Sequence, residues 1–371
     1  SALPAGFELD NYRIQRQLSH GGFSIVYLAH GPDETPVVIK EYLPNSLALR
    51  KEGELSPQIA AENQAAFRYG MKCFFEEGRS LAKLMHPNVV RVLNFFRTNG
   101  TVYMVMEFEK GHTLNEYIQK HRGKVPERFI RAVFSRTLNG LREVHSHKLL
   151  HLDIKPSNIY LRTNGTPVLL DFGAARQTLA AEQPMLKPMY TPGFASPEQY
   201  TDRDKLGPWS DLYSVGASLY ACIQGYAPPR ADDRTDQDKL VPLSELRPEG
   251  YTPELLETID WCLKLDPLAR PQSAYSLQKA LMRRRPMPAT GSSPSSIAAE
   301  VAGGEVHDLS GQSHRAAQVQ PGSHRVFIFA RGAADARRRR HGWPPARRDR
   351  RRHRRALAHR DLPARGASHS R

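Results

Sequence analysis

The run His151-Leu152-Asp153-Ile154-Lys155-Pro156-Ser157-Asn158, with Asp171-Phe172-Gly173 soon after it, constrains this chain more than any other feature. It sets a carboxylate, an ammonium and a side-chain amide close together, then adds a second carboxylate beside a glycine. Moving a phosphoryl group onto a hydroxyl calls for that set. A carboxylate orients the attacking hydroxyl, a cation sits near the moving phosphate, and oxygen ligands hold a divalent metal. Either motif alone could arise by chance. The two in this order, with the upstream elements below, single out one chemistry.

Hydrophobic periodicity divides the rest. Tyr12–Leu18, Ile25–Ala29 and Pro36–Lys40 alternate and are rich in β-branched residues, which predicts three strands of a meander. Phe67, Met71, Phe74, Gly78, Leu81 and Met85 recur at steps of three and four, the spacing of one buried helix face. Val90–Phe96 and Thr101–Phe108 read as two more strands joined by a turn at Asn99-Gly100. From Leu114 helical patterns dominate: Phe129, Val133, Thr137, Leu141 and Val144 mark one helix, and Trp209–Gln224 and Glu254–Leu265 two more. A strand-rich part followed by a helix-rich part predicts an α+β fold of two lobes with a cleft between them.

These segments together resemble the Hanks-type, or eukaryotic-like, serine/threonine protein kinases over about Tyr12 to Met282. The stretch from Glu41-Tyr42-Leu43-Pro44 to Gly70, and Asn94-Phe95-Phe96-Arg97-Thr98-Asn99-Gly100-Thr101, look like a bacterial branch of that family. The resemblance implies a β-rich N-lobe at about 12–108, a mainly helical C-lobe at about 109–282, and an N-terminal extension at 1–11. It implies ATP and Mg2+, or Mn2+, as cofactors, and Ser/Thr hydroxyls of proteins as acceptors, with autophosphorylation. Asp153 would orient the acceptor hydroxyl, Lys155 would neutralise the transferring phosphoryl, and Asn158 and Asp171 would hold the metal. Leu18 to Tyr27 resembles the glycine-rich loop, with Gly21 and Gly22 present and Ser19 and Ser24 standing at the first and third glycine positions. Val26 and Val38 would flank the nucleotide, and Lys40, ending Val37-Val38-Ile39-Lys40, would bind its phosphates and pair with a glutamate of the next helix. Glu77 fits that partner: it lies on the edge of the apolar face, whereas Glu76 is turned about 100° away. Met106, Glu107 and Phe108 would form the gatekeeper and hinge that meet adenine. Glu198 would pair with Arg270, and Asp211 would brace the catalytic loop. Leu152 stands where many relatives carry an arginine that receives an activation-loop phosphate, so basal activity is expected without one. Thr178 and Thr191 are candidate modification sites, and Thr191 is expected to hydrogen-bond near Asp153 and Lys155.

Charge separates a second region. Residues 283–371 contain 20 Arg, no Lys and 6 acidic residues, so they hold nearly all of the formal net charge of +15. The preceding part is close to neutral. The tail reads as linker up to about 322 and then as an Arg-rich stretch too poor in apolar residues for a core. It is either a solvated arm or an out-of-frame reading of GC-rich DNA, which favours Arg, Ala, Pro and Gly. Without a folded reader or interleaved aromatics, it does not predict specific nucleic-acid binding. Cys73, Cys222 and Cys262 are too far apart for a disulfide or metal framework and fit a reducing compartment. No apolar run reaches the roughly 18 residues of a membrane helix, and Ser1-Ala2-Leu3-Pro4 lacks the pattern of a signal peptide. A cytoplasmic kinase domain is expected, with an anchor in longer relatives; the oligomeric state is left open. A pseudokinase scaffold is the alternative function, supported by the two missing loop glycines.

Overall fold

The computed structural model describes residues 1–173 and 190–283. Thr178 and the expectations for the Arg-rich tail lie outside the described residues. The N-terminal part is a six-stranded antiparallel sheet in the order β1-β2-β3-β4-β8-β7. Its strands are β1 (Glu8–Leu9), β2 (Tyr12–His20), β3 (Ser24–His30), β4 (Pro36–Tyr42), β7 (Val92–Thr98) and β8 (Thr101–Glu107). A small hairpin of β5 (Ala48–Leu49) and β6 (Gln58–Ile59) leads to helix α1 (Gln64–Leu81). Asn99 and Gly100 both adopt positive φ, the geometry that a two-residue hairpin turn demands of its central pair.

α1 buries Phe67, Phe74, Gly78 and Leu81 against this sheet. Glycine at position 78 has a packing reason: an added Cβ would lie 3.1 Å from Met104 Cε of β8. The helix stops at Leu81, so Met85 is not on its buried face but 71% exposed. Residues 1–11 are part of the packing: β1 pairs with β2, and Leu3 and Leu9 enter the core.

The C-terminal part contains a three-stranded sheet of β9 (Gly111–Thr113), β10 (Ile159–Arg162) and β11 (Pro167–Leu169). Its helices are α2 (Leu114–Lys120), α3 (Glu127–Ser146), α4 (Pro197–Thr201), α5 (Pro208–Gln224), α6 (Ala231–Asp236), α7 (Leu243–Leu246), α8 (Pro253–Cys262) and α9 (Ala274–Met282). α5 is buried along nearly all of its length, as a helix apolar all round must be. Gly216 lets it approach α8 where a Cβ would collide with Cys262. Among the described residues no helix is long and apolar enough to cross a membrane.

A buried polar cluster ties the sheet to the segment after β4. The Glu41 carboxylate, fully enclosed, accepts hydrogen bonds from Arg50 Nη2 (2.9 Å), Tyr27 Oη (2.6 Å) and Tyr103 Oη (2.8 Å). Arg50 also donates to the carbonyls of Ser1 and Leu55. Removing one partner of a buried ion pair strands the other charge away from water, which costs about 3–5 kcal/mol. Arg50→Met should therefore lower unfolding free energy by roughly 3 kcal/mol in urea titration. A midpoint equal to wild type would show that Glu41 finds another partner.

Candidate active site

The loop that carries Asp153, Lys155 and Asn158 lies between α3 and β10. Its backbone hangs from Asp211 on α5, whose carboxylate accepts the N–H groups of His151 (2.9 Å) and Leu152 (2.7 Å) and hydrogen-bonds His145 Nε2 (2.8 Å). Leu152 is held at φ +59°, a region that side chains other than glycine avoid. Asp153 follows and turns its carboxylate toward Lys155, whose Nζ lies 3.0 and 2.9 Å from the two oxygens. Thr191 closes the triangle: Lys155 Nζ donates to its Oγ1 (2.7 Å), and Thr191 Oγ1 donates to Asp153 Oδ1 (2.9 Å). Asn158 Nδ2 donates to the Asp153 carbonyl (2.8 Å) and Oδ2 (3.0 Å). The placement of Thr191 beside Asp153 and Lys155, and the brace from Asp211, are as the sequence leads one to expect.

Asp171, also at positive φ, faces the sheet, where its carboxylate pairs with the Lys40 ammonium. Lys40 is 5% exposed, so it must have a nearby anion. That anion is Asp171 and not the expected Glu77. Glu77 is half-buried on α1, beside Leu149, Leu150 and Phe172, while Glu76 is exposed. The Phe172 ring stacks on His151 with centroids 4.3 Å apart.

The cleft above the loop is an apolar cavity lined by Val38, Val90, Met106, Glu107, Glu109, Tyr160 and Leu170. Val38, Met106 and Glu107 were expected there. Val26, buried on β3, and the half-buried Phe108 were expected there too but are not among the lining residues. Val90, Glu109, Tyr160 and Leu170 were not named as site residues from the sequence, although the last three lie within two residues of ones that were: Phe108, Asn158 and Asp171. Glu109 is held by Arg162, whose Nε donates to its Oε2 (2.6 Å). Ser19 is the penultimate residue of β2, Ser24 begins β3, and Gly21 and Gly22 lie in the turn between the strands. That turn is anchored: Gly21 N–H donates to the Ser24 carbonyl, and the carbonyls of Gly22 and Phe23 accept from Asn45 and Leu43. Phe23 packs inward, edge-on to Tyr42.

Among the described residues no cluster of three or more His, Cys, Asp or Glu side chains gathers to hold a metal. A magnesium ion fits that composition, because it is usually held by one or two carboxylates with substrate phosphates and water. Asp171 and Asn158 are the oxygen-bearing pair at the cleft, with Asn158 Nδ2 3.5 Å from the Asp171 carbonyl.

The C-lobe side is fixed by Glu198 on α4. It accepts from Arg270 Nη1 (2.7 Å) and Ser210 Oγ (2.7 Å). Burial pushes its pKa up, but the bonds and charge of Arg270 outweigh this and hold it below the usual carboxylate value. Asp211 behaves likewise: burial raises it, and His145, His151 and the backbone donors bring it down.

A family model described as protein kinase domain matches residues 12–282. The serine/threonine-protein kinase ATG1c of Arabidopsis thaliana is 29% identical over 270 residues, which cover 70% of this chain and 33% of that protein. The serine/threonine-protein kinase PknL of Mycobacterium tuberculosis is 29% identical over 277 residues, 72% of this chain and 63% of the relative. The chain thus spans less than two thirds of these relatives' length. The solved apo form of PpkA-294 is 38% identical with a TM-score of 0.70, covering 76% of this chain and 99% of that one. The M. tuberculosis PknI kinase domain, 22% identical with a TM-score of 0.58 over 76% of this chain and 98% of its own, shares the fold. The resemblance drawn from the motifs and the two-lobed architecture are borne out by these matches.

His151 gives the site a pH signature. Burial holds its pKa below the ordinary imidazole value, against the raising pull of Asp211, Asp153 and Asp171. Its partners fix the neutral tautomer: Nε2–H donates to the Leu170 carbonyl (3.0 Å), and Nδ1 accepts the Asp153 N–H (3.3 Å). A proton on Nδ1 would face that N–H. Below the unfolded-chain pKa of about 6.5 the unfolded state binds more protons than the native state. The contribution of His151 is therefore complete above that pH and is lost as pH falls. The thermal midpoint should drop between pH 7 and pH 5. His151→Phe, which keeps the stack on Phe172, should show a shallower drop, and equal slopes would rule out His151 as the source.

Proposed function

This chain belongs to the protein kinase family, whose members use ATP and a divalent metal, and on that footing we propose that it is an ATP-dependent protein serine/threonine kinase. The observation that carries the reading is the Asp153–Lys155–Thr191 triangle, set on a braced loop opposite Lys40 and Asp171. In this reading a Ser or Thr hydroxyl of a protein approaches Asp153. Its oxygen bonds to the γ-phosphorus as the bond to the bridging oxygen of ADP breaks, and Asp153 takes the hydroxyl proton. Lys155 offsets negative charge on the phosphoryl in flight, and Lys40 holds the phosphates that stay behind. Magnesium would be held by Asp171 and Asn158 and would supply charge neutralisation at the phosphates. Val26, Val38, Met106, Glu107 and Phe108 would surround the base, under a lid formed by Ser19, Gly21, Gly22 and Ser24. Autophosphorylation and a cytoplasmic location are parts of the same proposal. The lid serines favour the pseudokinase reading; the presence of Lys40, Asp153, Lys155, Asn158 and Asp171 in the sequence supports transfer.

Radiolabelled ATP with a generic protein acceptor tests this. Wild type should transfer phosphate, and Asp153→Asn should not. Lys40→Met and Asp171→Asn should each lower transfer at least ~100-fold with the fold intact, since fixed charges at a developing charge are worth several kcal/mol of barrier. Normal turnover in either variant would remove these residues from the site.

Leu152 has no charge with which to receive an activation-segment phosphate. Phosphatase-treated enzyme should therefore keep its rate within about twofold, unlike a kinase whose loop is ordered by an Arg–phosphate pair. Complete loss of rate, restored by rephosphorylation, would defeat this.

A further inference from the structure

We propose that Gln199 is a positioning residue for phosphoryl transfer: its side-chain amide pins the Leu152 carbonyl and so ties the acceptor-side segment to the catalytic loop without a phosphate. The inference rests on Asp153 being the catalytic carboxylate. Leu152, immediately before Asp153, sits at φ +59°, so its backbone needs holding. Its N–H is held by Asp211 at 2.7 Å, and its carbonyl accepts from Gln199 Nε2 at 3.1 Å. The strained residue is thus gripped on both sides of its α-carbon by two different helices, α5 and α4.

Gln199 is 1% exposed, and its other end is committed as well. Oε1 accepts from Ser196 N–H (2.9 Å) and lies 3.3 Å from Ser196 Oγ, closing the capping box of α4. These partners leave one orientation of the amide, oxygen toward Ser196 and nitrogen toward Leu152. The cap alone does not call for glutamine, because a capping box is completed equally by glutamate. Only the amide can also donate to Leu152.

What precedes α4 gives the bond its consequence. Thr191 touches Asp153 and Lys155, and its carbonyl accepts from the N–H groups of Phe194 and Ala195. Residues 191–199 therefore meet the loop twice, at the Asp153 side chain through Thr191 and at the backbone before Asp153 through Gln199. α4 is itself fixed by Glu198 to Arg270 and Ser210. The link is neutral and needs no modification, which suits a chain with Leu at position 152.

Gln199→Glu keeps the acceptor for Ser196 and removes the donor to Leu152; Gln199→Met removes both. At pH 7.5 each should lower kcat/KM for an acceptor peptide about tenfold, or ~1.4 kcal/mol, with the KM for ATP within about twofold. Hydrogen–deuterium exchange in peptides covering residues 150–158 should quicken in both variants, while α4 stays protected in Gln199→Glu. The same exchange is measured in a Lys40→Met background, where no turnover is needed, so the pin is judged separately from the assignment of the reaction to Asp153. Unchanged loop exchange in Gln199→Glu, or a parallel loss of ATP binding and α4 protection, would overturn the proposal.

Discussion

The buried carboxylate of Asp211 is the interaction on which the site depends. An isolated carboxylate taken out of water would give up its charge. This one keeps it because His145 and two consecutive backbone N–H groups converge on it, and their combined pull outweighs burial. Its helix, α5, lies in the core of the C-lobe, so the anchor point is rigid. The return is geometric. Leu152 is kept in a conformation it would not choose, and after that turn the Asp153 carboxylate meets the Lys155 ammonium. Hydrophobic burial assembles the lobe but has no direction. Charge-assisted hydrogen bonds supply the angles.

The same division of labour recurs at three other joints, two of them fully buried and the third partly so. Glu41–Arg50 fastens the segment after β4 to the sheet, Glu109–Arg162 fastens the hinge to β10, and Glu198–Arg270 fastens α4 to the end of the C-lobe. Each places an arginine fork against a carboxylate, a pairing with fixed relative orientation. Each lies where a strand or helix ends and the chain changes direction. At such places a methyl group against a methyl group would permit several arrangements.

Much of this was legible in the sequence because it is local. The strand alternation from Tyr12, the turn at Asn99-Gly100 and the outward placement of Glu76 follow from neighbours within a few residues. The catalytic loop is legible for the same reason, since Asp153, Lys155 and Asn158 are fixed by one short run. What escaped depends on residues far apart in the chain. Tyr27, Glu41, Arg50 and Tyr103 look like ordinary strand and loop residues until the sheet brings them together. Gln199 reads as a helix-cap residue, and its second bond is 47 residues away. Met85 continued a helical pattern past the point where α1 ends. The carboxylate that meets Lys40 could not be chosen from periodicity, because Asp171 reaches it from the other lobe, 131 residues on.

That cross-lobe pair gains its meaning from how the lobes are joined. The segment after α1 belongs to the N-lobe by sequence, yet its backbone is bonded to the C-lobe. Leu169 N–H donates to the Asn88 carbonyl, Val90 N–H to the Leu169 carbonyl, and Asn88 Nδ2 to the Pro167 carbonyl. Arg162 adds the Pro87 carbonyl to its grip on Glu109. Residues 87–90 and the hinge therefore stand on the C-lobe as two fixed posts. Between them β4 carries Lys40 over the cleft, and from the C-lobe Asp171 reaches up to it. A rotation of the sheet against these posts changes the separation of Lys40 and Asp171 more than it changes the hinge, because distance from the pivot multiplies the displacement. The Lys40–Asp171 pair is thus placed where small movements of the lobes are felt most, while the Asp153 triangle lies wholly within the C-lobe.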